Sequence, residues 1–415
     1  MLRPVRIADA RHLINAKAAL ATLLLLAVTL LSSAPPAAAD AAFRKWINDF
    51  YPVAAKSGIK KSTYKKAFAG VREPDPEVLR KARFQPEFKQ DVWSYVDTRV
   101  HFTTVETGQQ MAQRYDRVLS QIERRFGVDR SVVLAIWSME SSYGNVFNYP
   151  ERLHYVPRAL ATLAYADRRR SKYARQQLVA ALKILQSGKI RKNQLTGSWA
   201  GAMGHTQFIP TSYLAFAVDF DGDGRRDIWN SIPDALATAA NLLDKNGWRT
   251  GKTWGYEVKA PRGSKKYVGK SKTLSQWAKL GFKRPAGRGF PRPGEKAVLK
   301  MPAGANGPAF LMLRNFFIFK RYNNSDSYAL AVGLLADRIA GYSGLKQEWP
   351  KPNGALSMDE RREIQVHLKS LGYYGGEIDG NIGSGSQLAI KTFQSRSGLT
   401  PDGVPSQKLL KTLRR

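Results

Sequence analysis

The sequence predicts a mainly α-helical (α+β) fold, with a small β-containing insertion and a compact helical unit at the C-terminal end. Three observations predict it. Apolar residues recur at helical spacing between residues 40 and about 250, as in Val118/Ile122 and Leu178/Leu182/Leu185. Over residues 251–318, Gly, Pro and Lys become frequent around short strand-like runs, Tyr256-Glu257-Val258 and Ala297-Val298-Leu299. Beyond a Pro- and Gly-bearing linker at 346–354, residues 355–415 carry an apolar pattern of their own. At 415 residues and 43% hydrophobic content, the chain has room for two or three domains with packed cores.

Taken in order, residues 1–39 read as an export segment. Arg3, Arg6, Arg11 and Lys17 precede an apolar run from Ala18 to Leu31, and small residues follow to Ala37-Ala38-Ala39. The run is short for a membrane span of about 20 residues. Cleavage near Ala39 leaves a periplasmic chain with no stable membrane span. The chain holds no cysteine, which excludes a lipoprotein anchor, disulfides, thiol nucleophiles and Cys-ligated zinc.

Residues 128–144 read as one helix, with Asp129 as N-cap and Gly144 just past its C-terminal end. Val132, Val133, Ile136 and Trp137 share its apolar face. Glu140 lies four residues after Ile136 and three after Trp137, so it falls on that face. It also sits in the last turn, where the helix dipole disfavours an anion. Burial and dipole together push a carboxyl group upward in pKa, toward the protonated acid that a glycosidic oxygen needs as proton donor. On pattern alone a second reading stays open, a glutamate paired with an arginine at a domain seam.

The segment Asp219-Phe220-Asp221-Gly222-Asp223-Gly224-Arg225-Arg226-Asp227 fits D-x-D-x-D-G-x-x-D. Carboxylates fall at loop positions 1, 3, 5 and 9, Gly224 makes the turn, and the Arg225 carbonyl falls at position 7. Position 12 is Asn230 rather than the usual Glu, and Asp234 just beyond is the candidate for the missing ligand. Oxygen ligands at this spacing suit a structural Ca²⁺. No HExxH pattern is present, which argues against a catalytic metal. Helix is expected again at Tyr328–Ile339. In the tail, Ile364, Leu368 and Leu371 are expected to share one helix face against Ala389, Phe393 and Leu399.

Lys and Arg number 66 against 33 Asp and Glu, a net charge of +33. Residues 356–415 hold nine basic and six acidic residues, so the surplus belongs to the larger part of the chain. Such a surplus implies a polyanionic partner. Export weighs against nucleic acid, and no nucleic-acid recognition motif appears.

Several ordered motifs resemble one known family. Glu140-Ser141-Ser142-Tyr143-Gly144, the run Gly197 to Tyr213, Trp229-Asn230-Ser231-Ile232-Pro233-Asp234-Ala235, Asn246-Gly247-Trp248 and Arg321-Tyr322-Asn323-Asn324-Ser325 closely resemble the membrane-bound lytic murein transglycosylase B family over most of 40–345. The resemblance implies a lysozyme-like catalytic domain that cleaves the MurNAc–GlcNAc β-1,4 bond of peptidoglycan without water, with no cofactor for the chemistry. It implies Glu140 as acid and then base, and Ser198, Gln207, Phe208, Tyr322, Asn323 and Tyr328 as cleft residues. It also implies a Ca²⁺ site of Asp219, Asp221, Asp223, the Arg225 carbonyl, Asp227 and Asp234, within 219–234. Where many relatives carry Tyr, this chain has Leu242 after Ala240-Asn241.

The tail resembles the small three-helix peptidoglycan-binding domain, on motifs such as Glu363-Ile364-Gln365, Asp379-Gly380, Phe393-Gln394 and Asp402-Gly403. A monomer acting on peptidoglycan, alone or beside other wall-remodelling proteins, is the resulting expectation. A hydrolytic muramidase and a non-catalytic wall-binding protein are the alternatives.

Overall fold

A computed structural model describes residues 36–83 and 91–415. The expected export segment lies outside the described residues, apart from residues 36–39, which open the first helix, Pro36–Lys56. Among the described residues no helix is long and apolar enough to cross a membrane.

The helix Arg130–Ser141 forms the axis of the molecule. Every residue from Ser131 to Ser138 is buried, so it is apolar on all sides and must be jacketed by other helices. Asp326–Ile339 packs along it, and Phe102–Arg114, Asp116–Phe126 and Ile232–Lys245 complete the jacket. The periodic residues behave as expected: Ile122, Leu178 and Leu182 are fully buried. A two-residue pair, β1 (His154–Tyr155) against β2 (Thr196–Gly197), ties the Val156–Ala166 helix to the segment that runs on from Ser198.

The region from 251 forms a four-stranded antiparallel sheet. Its strands are β3 (Gly255–Val258), β4 (Ser271–Thr273), β5 (Lys296–Lys300) and β6 (Ala309–Met312), in the order β3-β6-β5-β4. Both strand-like runs of the sequence fall on strands. Helix resumes at Arg314–Tyr322, earlier than the sequence pattern predicted, because Phe316, Ile318 and Phe319 supply a short apolar face that the surrounding basic residues disguise. Strand β6 is buried on both faces. Ala309 and Leu311 join Val258, Leu274, Trp277 and Leu299 in the sheet's own core, while Phe310 and Met312 enter the helical core.

Trp254, just before β3, is the rivet between sheet and helices. Its indole N–H donates to Asp337 Oδ2 at 3.1 Å, and burial pushes that carboxyl group up to about 6. Its ring lies against Gly333 in the Asp326–Ile339 helix, where an added Cβ would come within 2.6 Å of ring carbons.

The C-terminal unit has three helices, Met358–Ser370, Ser384–Arg396 and Gln407–Leu413, around Ile364, Leu368, Ile390, Phe393, Leu409 and Leu410. Leu371 departs from its expectation. The helix stops at Ser370, and Leu371 turns outward at 54% exposure. The two Asp-Gly pairs do the same work twice. Gln365 Oε1 accepts the Gly380 N–H at 2.6 Å while its amide donates to Asp379, and Gln394 Oε1 accepts the Gly403 N–H at 2.9 Å while its amide donates to Asp402. Each buried glutamine amide is thereby paired through donor and acceptor, which a buried amide requires.

The connecting stretch is pinned rather than loose. The Glu257 carboxylate accepts the N–H groups of Lys346 and Gln347, and Trp349 packs near Phe310 at 6.3 Å between centroids. The Met358 N–H then donates to Asp97 at 2.7 Å.

Gly333→Ala tests the Trp254 rivet. In an open helix this change stabilises by about 1 kcal/mol. Here the rigid ring blocks the methyl group, and a loss of roughly 1–3 kcal/mol is expected by denaturant titration. A stabilised variant would show that the sheet is free to shift.

Candidate active site

Glu140 occupies the last turn of the Arg130–Ser141 helix. The helix ends at Ser141, three residues before Gly144. Ser142, Tyr143 and Gly144 all take left-handed backbone, with φ of 50°, 57° and 88°. Such conformations cost about 1–3 kcal/mol at each non-glycine position and persist only where surroundings enforce them. The enforcing bonds are present. Ser141 Oγ donates to the His205 carbonyl at 2.6 Å, the Gly144 N–H donates to Ser141 Oγ at 3.0 Å, and Tyr143 Oη donates to the Thr104 carbonyl at 3.0 Å. Glycine is required at 144, because a Cβ would sit 2.4 Å from the His205 ring.

The Glu140 carboxyl group keeps a partly open surface while dense protein surrounds it. Burial raises its pKa to about 7, and the Tyr328 hydroxyl opposes this by donating to Oε1 at 2.6 Å. Tyr328 is itself buried, and the Tyr322 ring stacks against it at 6.5 Å with a 15° interplanar angle. Burial first, and the Glu140 charge second, hold both phenols well above their ordinary range, so they stay protonated donors. Tyr322 Oη donates to the Thr206 carbonyl. His205 accepts the Trp137 indole N–H on Nδ1 at 3.2 Å, and burial pushes it down to about 4, leaving it neutral.

The other expected cleft residues take distinct places. Phe208 is only 2% exposed and meets Tyr322 edge-on at 5.4 Å, so it backs the wall instead of lining it. Gln207 has left-handed backbone (φ 48°), and its amide donates to the Gly204 carbonyl at 2.8 Å. Ser198 Oγ accepts the Ala202 N–H at 3.1 Å, closing the loop that presents this segment. Asn323 is exposed past the end of the Arg314–Tyr322 helix and accepts the Ser325 N–H. Asn241 anchors the Phe216 carbonyl at 2.8 Å, and Leu242 is core.

Sequence reasoning missed Tyr95. It lies on the six-residue helix Val92–Asp97, too short to show a period. Burial leads the upward push on its phenol, and the Glu140 charge contributes, which brings it into the acid's surroundings. The Arg99 guanidinium sits 3.7 Å over its ring.

In the acidic loop, one oxygen from each of Asp219, Asp221 and Asp223 lies within 4.8 Å of the others. Asp219 also accepts the N–H groups of Gly222 and Gly224, both at 2.8 Å, and Ser231 Oγ donates to Asp221 at 2.6 Å. Arg225 supplies its guanidinium to Asp223 at 2.9 Å. Two expected ligands are engaged otherwise. Asp234 is fully buried and accepts the N–H groups of Phe220, Asp221 and Asp227. Asp227 accepts the Gln194 amide and the N–H groups of Trp229 and Asn230. They shape the loop, leaving three convergent carboxylates, hard oxygen donors that fit a Ca²⁺ ion.

The fold and site find their counterparts among known proteins. Residues 42–337 match the transglycosylase SLT domain, and residues 357–413 match a peptidoglycan binding domain. Membrane-bound lytic murein transglycosylase B of Escherichia coli (strain K12) is 31% identical over 244 residues, spanning 57% of this chain and 64% of that protein, just under two thirds of its length. The crystal structure of SltB3 from Pseudomonas aeruginosa with NAG-anhNAM-pentapeptide is 44% identical, covers 90% of this chain and 99% of its own, and superposes with a TM-score of 0.71. The Escherichia coli Slt35 structure in complex with calcium is 25% identical, covers 72% of this chain and 92% of its own, with a TM-score of 0.60.

The raised Glu140 pKa has a stability signature. A carboxyl group raised in the folded state stabilises fully below its unfolded pKa, and that stability is lost as pH rises through about 7. Glu140→Gln removes this dependence. The variant is expected to gain roughly 2–3 kcal/mol on the wild type between pH 4 and pH 8 by denaturant titration. A pH-independent difference would show an unperturbed acid.

Proposed function

The chain belongs to the transglycosylase SLT-domain family, and from that premise we propose that it is a lytic transglycosylase cleaving the MurNAc–GlcNAc β-1,4 bond of peptidoglycan without consuming water. The observation that carries this is a single buried carboxyl group, Glu140, raised to about 7 and hydrogen-bonded by Tyr328. Near neutral pH a large fraction of it is protonated, so it can give its proton to the glycosidic oxygen as the C1–O bond breaks. The carboxylate left behind is held by the Tyr328 hydroxyl. It then takes the proton of the MurNAc C6 hydroxyl as that oxygen bonds to C1, giving a 1,6-anhydro end. The proton returns to Glu140 and the cycle closes with no water spent.

Hydrolytic glycosidases generally pair two carboxyl groups about 5–9.5 Å apart. Burial raises Glu140 and the Tyr328 hydrogen bond opposes the rise, and no other carboxylate of the described residues contributes to the shift. That favours a nucleophile carried by the sugar over the hydrolytic alternative. Tyr322, stacked on Tyr328 and backed by Phe208, offers a wall for the sugar; Tyr95, Ser198, Gln207 and Asn323 complete the cleft in this reading. Residues 40–345 act as the catalytic part and 355–415 as a wall-binding part. The chain works in the periplasm after loss of its export segment. The 219–227 loop holds Ca²⁺, as the calcium complex of Slt35 supports for that relative. The ion would brace the loop whose far end, at Ile228 and Trp229, leads to the His205 support of the catalytic helix; the His205 N–H donates to the Ile228 carbonyl at 2.9 Å.

Mass spectrometry of digested sacculi tests the reaction. Wild type is expected to release anhydromuropeptides, and Glu140→Gln to lose roughly 10²–10⁴-fold of that release while still binding sacculi. Reducing MurNAc ends would establish hydrolysis, and undiminished release by the variant would remove Glu140 from the chemistry.

The cation site is tested apart from turnover. Calcium at about a hundred times its Kd is expected to raise the melting temperature of chelator-treated protein by roughly 3–8 °C. Asp219→Asn/Asp221→Asn should show no rise. Equal melting curves with and without calcium would count against the site.

A further inference from the structure

Charge is distributed unevenly over the surface. Residues 251–300 hold fourteen Lys and Arg against two acids, Glu257 and Glu295. Both acids are engaged inside the unit. Glu257 accepts the linker N–H groups of Lys346 and Gln347, and Glu295 pairs with Arg292 at 2.9 Å and Lys252 at 3.8 Å. Lys259, Arg262, Lys265, Lys266, Lys270 and Lys283 are all exposed, and none has an acidic partner among the described residues.

Two of these lysines face each other directly. Lys259 and Lys283 form an antiparallel bridge, with the Lys259 N–H donating to the Lys283 carbonyl at 2.8 Å. Opposed residues in such a pair place their Cβ atoms about 4.5–5.5 Å apart, and like charges there are destabilising. The same turn brings Pro261 within 3.6 Å of the position a Gly281 Cβ would take, so the two lysine-bearing segments lie side by side. A like-charge bridge with no acid to relieve it is a cost that an external anion would offset.

We propose that this sheet unit is a second wall-binding surface, whose unpaired lysines take the carboxylates of peptidoglycan peptide stems. The inference rests on the peptidoglycan reading and adds to it a contact away from Glu140. The chemistry selects this partner. Residues 251–300 expose one large apolar side chain, Val268, so the unit lacks the apolar face with which a protein docks on a lipid surface. Five of the six named cations are lysines. These act as mobile point charges on flexible stems that can follow carboxylates scattered along a flexible polymer, whereas arginine's planar fork suits a fixed bidentate partner. Peptide stems on a glycan present carboxylates repeatedly along a flexible polymer, and many weak contacts then add by avidity.

The test compares the full chain with Lys259→Gln/Lys265→Gln/Lys266→Gln/Lys283→Gln in co-sedimentation with intact sacculi and with glycan strands stripped of peptides. At low salt the variant is expected to bind intact sacculi about fivefold more weakly, with the gap closing at about 1 M salt. On stripped strands the two should bind equally, and turnover of a soluble peptide-free glycan should be unchanged. Lys265→Gln/Lys266→Gln/Lys270→Gln, which leaves the bridge untouched, should show the same selectivity. Equal binding of variant and wild type to intact sacculi overturns the proposal. So does an equal loss on stripped strands, or tighter wild-type binding to duplex DNA or anionic vesicles than to sacculi. Failure of the catalytic reading would appear separately, as missing anhydro products in protein that still discriminates the two polymers.

Discussion

The hydrogen bond from Tyr328 to Glu140 is the constraint around which the molecule is arranged. It joins two helices whose contacting residues lie 188 positions apart, at the partly open edge of the core. A carboxyl group that deep must either lose its charge or find a donor. Here it does some of each. Burial moves it toward the neutral form, and one phenol keeps the charged form tolerable when it appears. Everything nearby serves that balance. The Arg130–Ser141 helix is buried along most of its length and carries Glu140 in its last turn. Three left-handed residues, Ser142, Tyr143 and Gly144, then turn the chain aside.

The inserted sheet follows from the same demand. The Asp326–Ile339 helix must stay in register with the Arg130–Ser141 helix for Tyr328 to reach Glu140. One face of that helix is held by Trp254, which inserts against Gly333 and bonds Asp337. Strand β6 lends Phe310 and Met312 to the helical core from its outward face. The insertion is therefore part of the scaffold that positions Tyr328.

What the sequence disclosed, and what it withheld, follows from the range of each signal. Periodicity reports which side of a single element is apolar, so Glu140 on an apolar face was legible, and so were the strand runs. Ligand spacing within one loop was equally legible: Asp219, Asp221 and Asp223 do converge. Asp227 and Asp234, expected as ligands by spacing, accept hydrogen bonds from the loop itself, Asp234 from backbone N–H groups and Asp227 from the Gln194 amide and backbone N–H groups, an engagement that depends on how the loop closes. Phe208 was placed on the cleft by its motif and is buried behind Tyr322. Tyr95 carried no signal, since a six-residue helix has too few turns to reveal a face. Leu371 obeyed the spacing of its helix on paper, but the helix ended first.

A protein of +33 has an electrostatic difficulty at its own active site, because nearby cations would favour ionised Glu140 and lower its pKa. Among the described residues, no cation contributes to the Glu140 shift. His205 is neutral and donates no charge to the helix end it supports. Arg99 is stacked over Tyr95 and bonded to its carbonyl at 3.2 Å. Surface charges act through solvent over a Debye length of about 8–10 Å, short enough to leave a group surrounded by protein little disturbed. Crowding cations onto a separate sheet unit is thus compatible with a carboxyl group raised to about 7, whereas the same lysines placed around Glu140 would favour its ionised form.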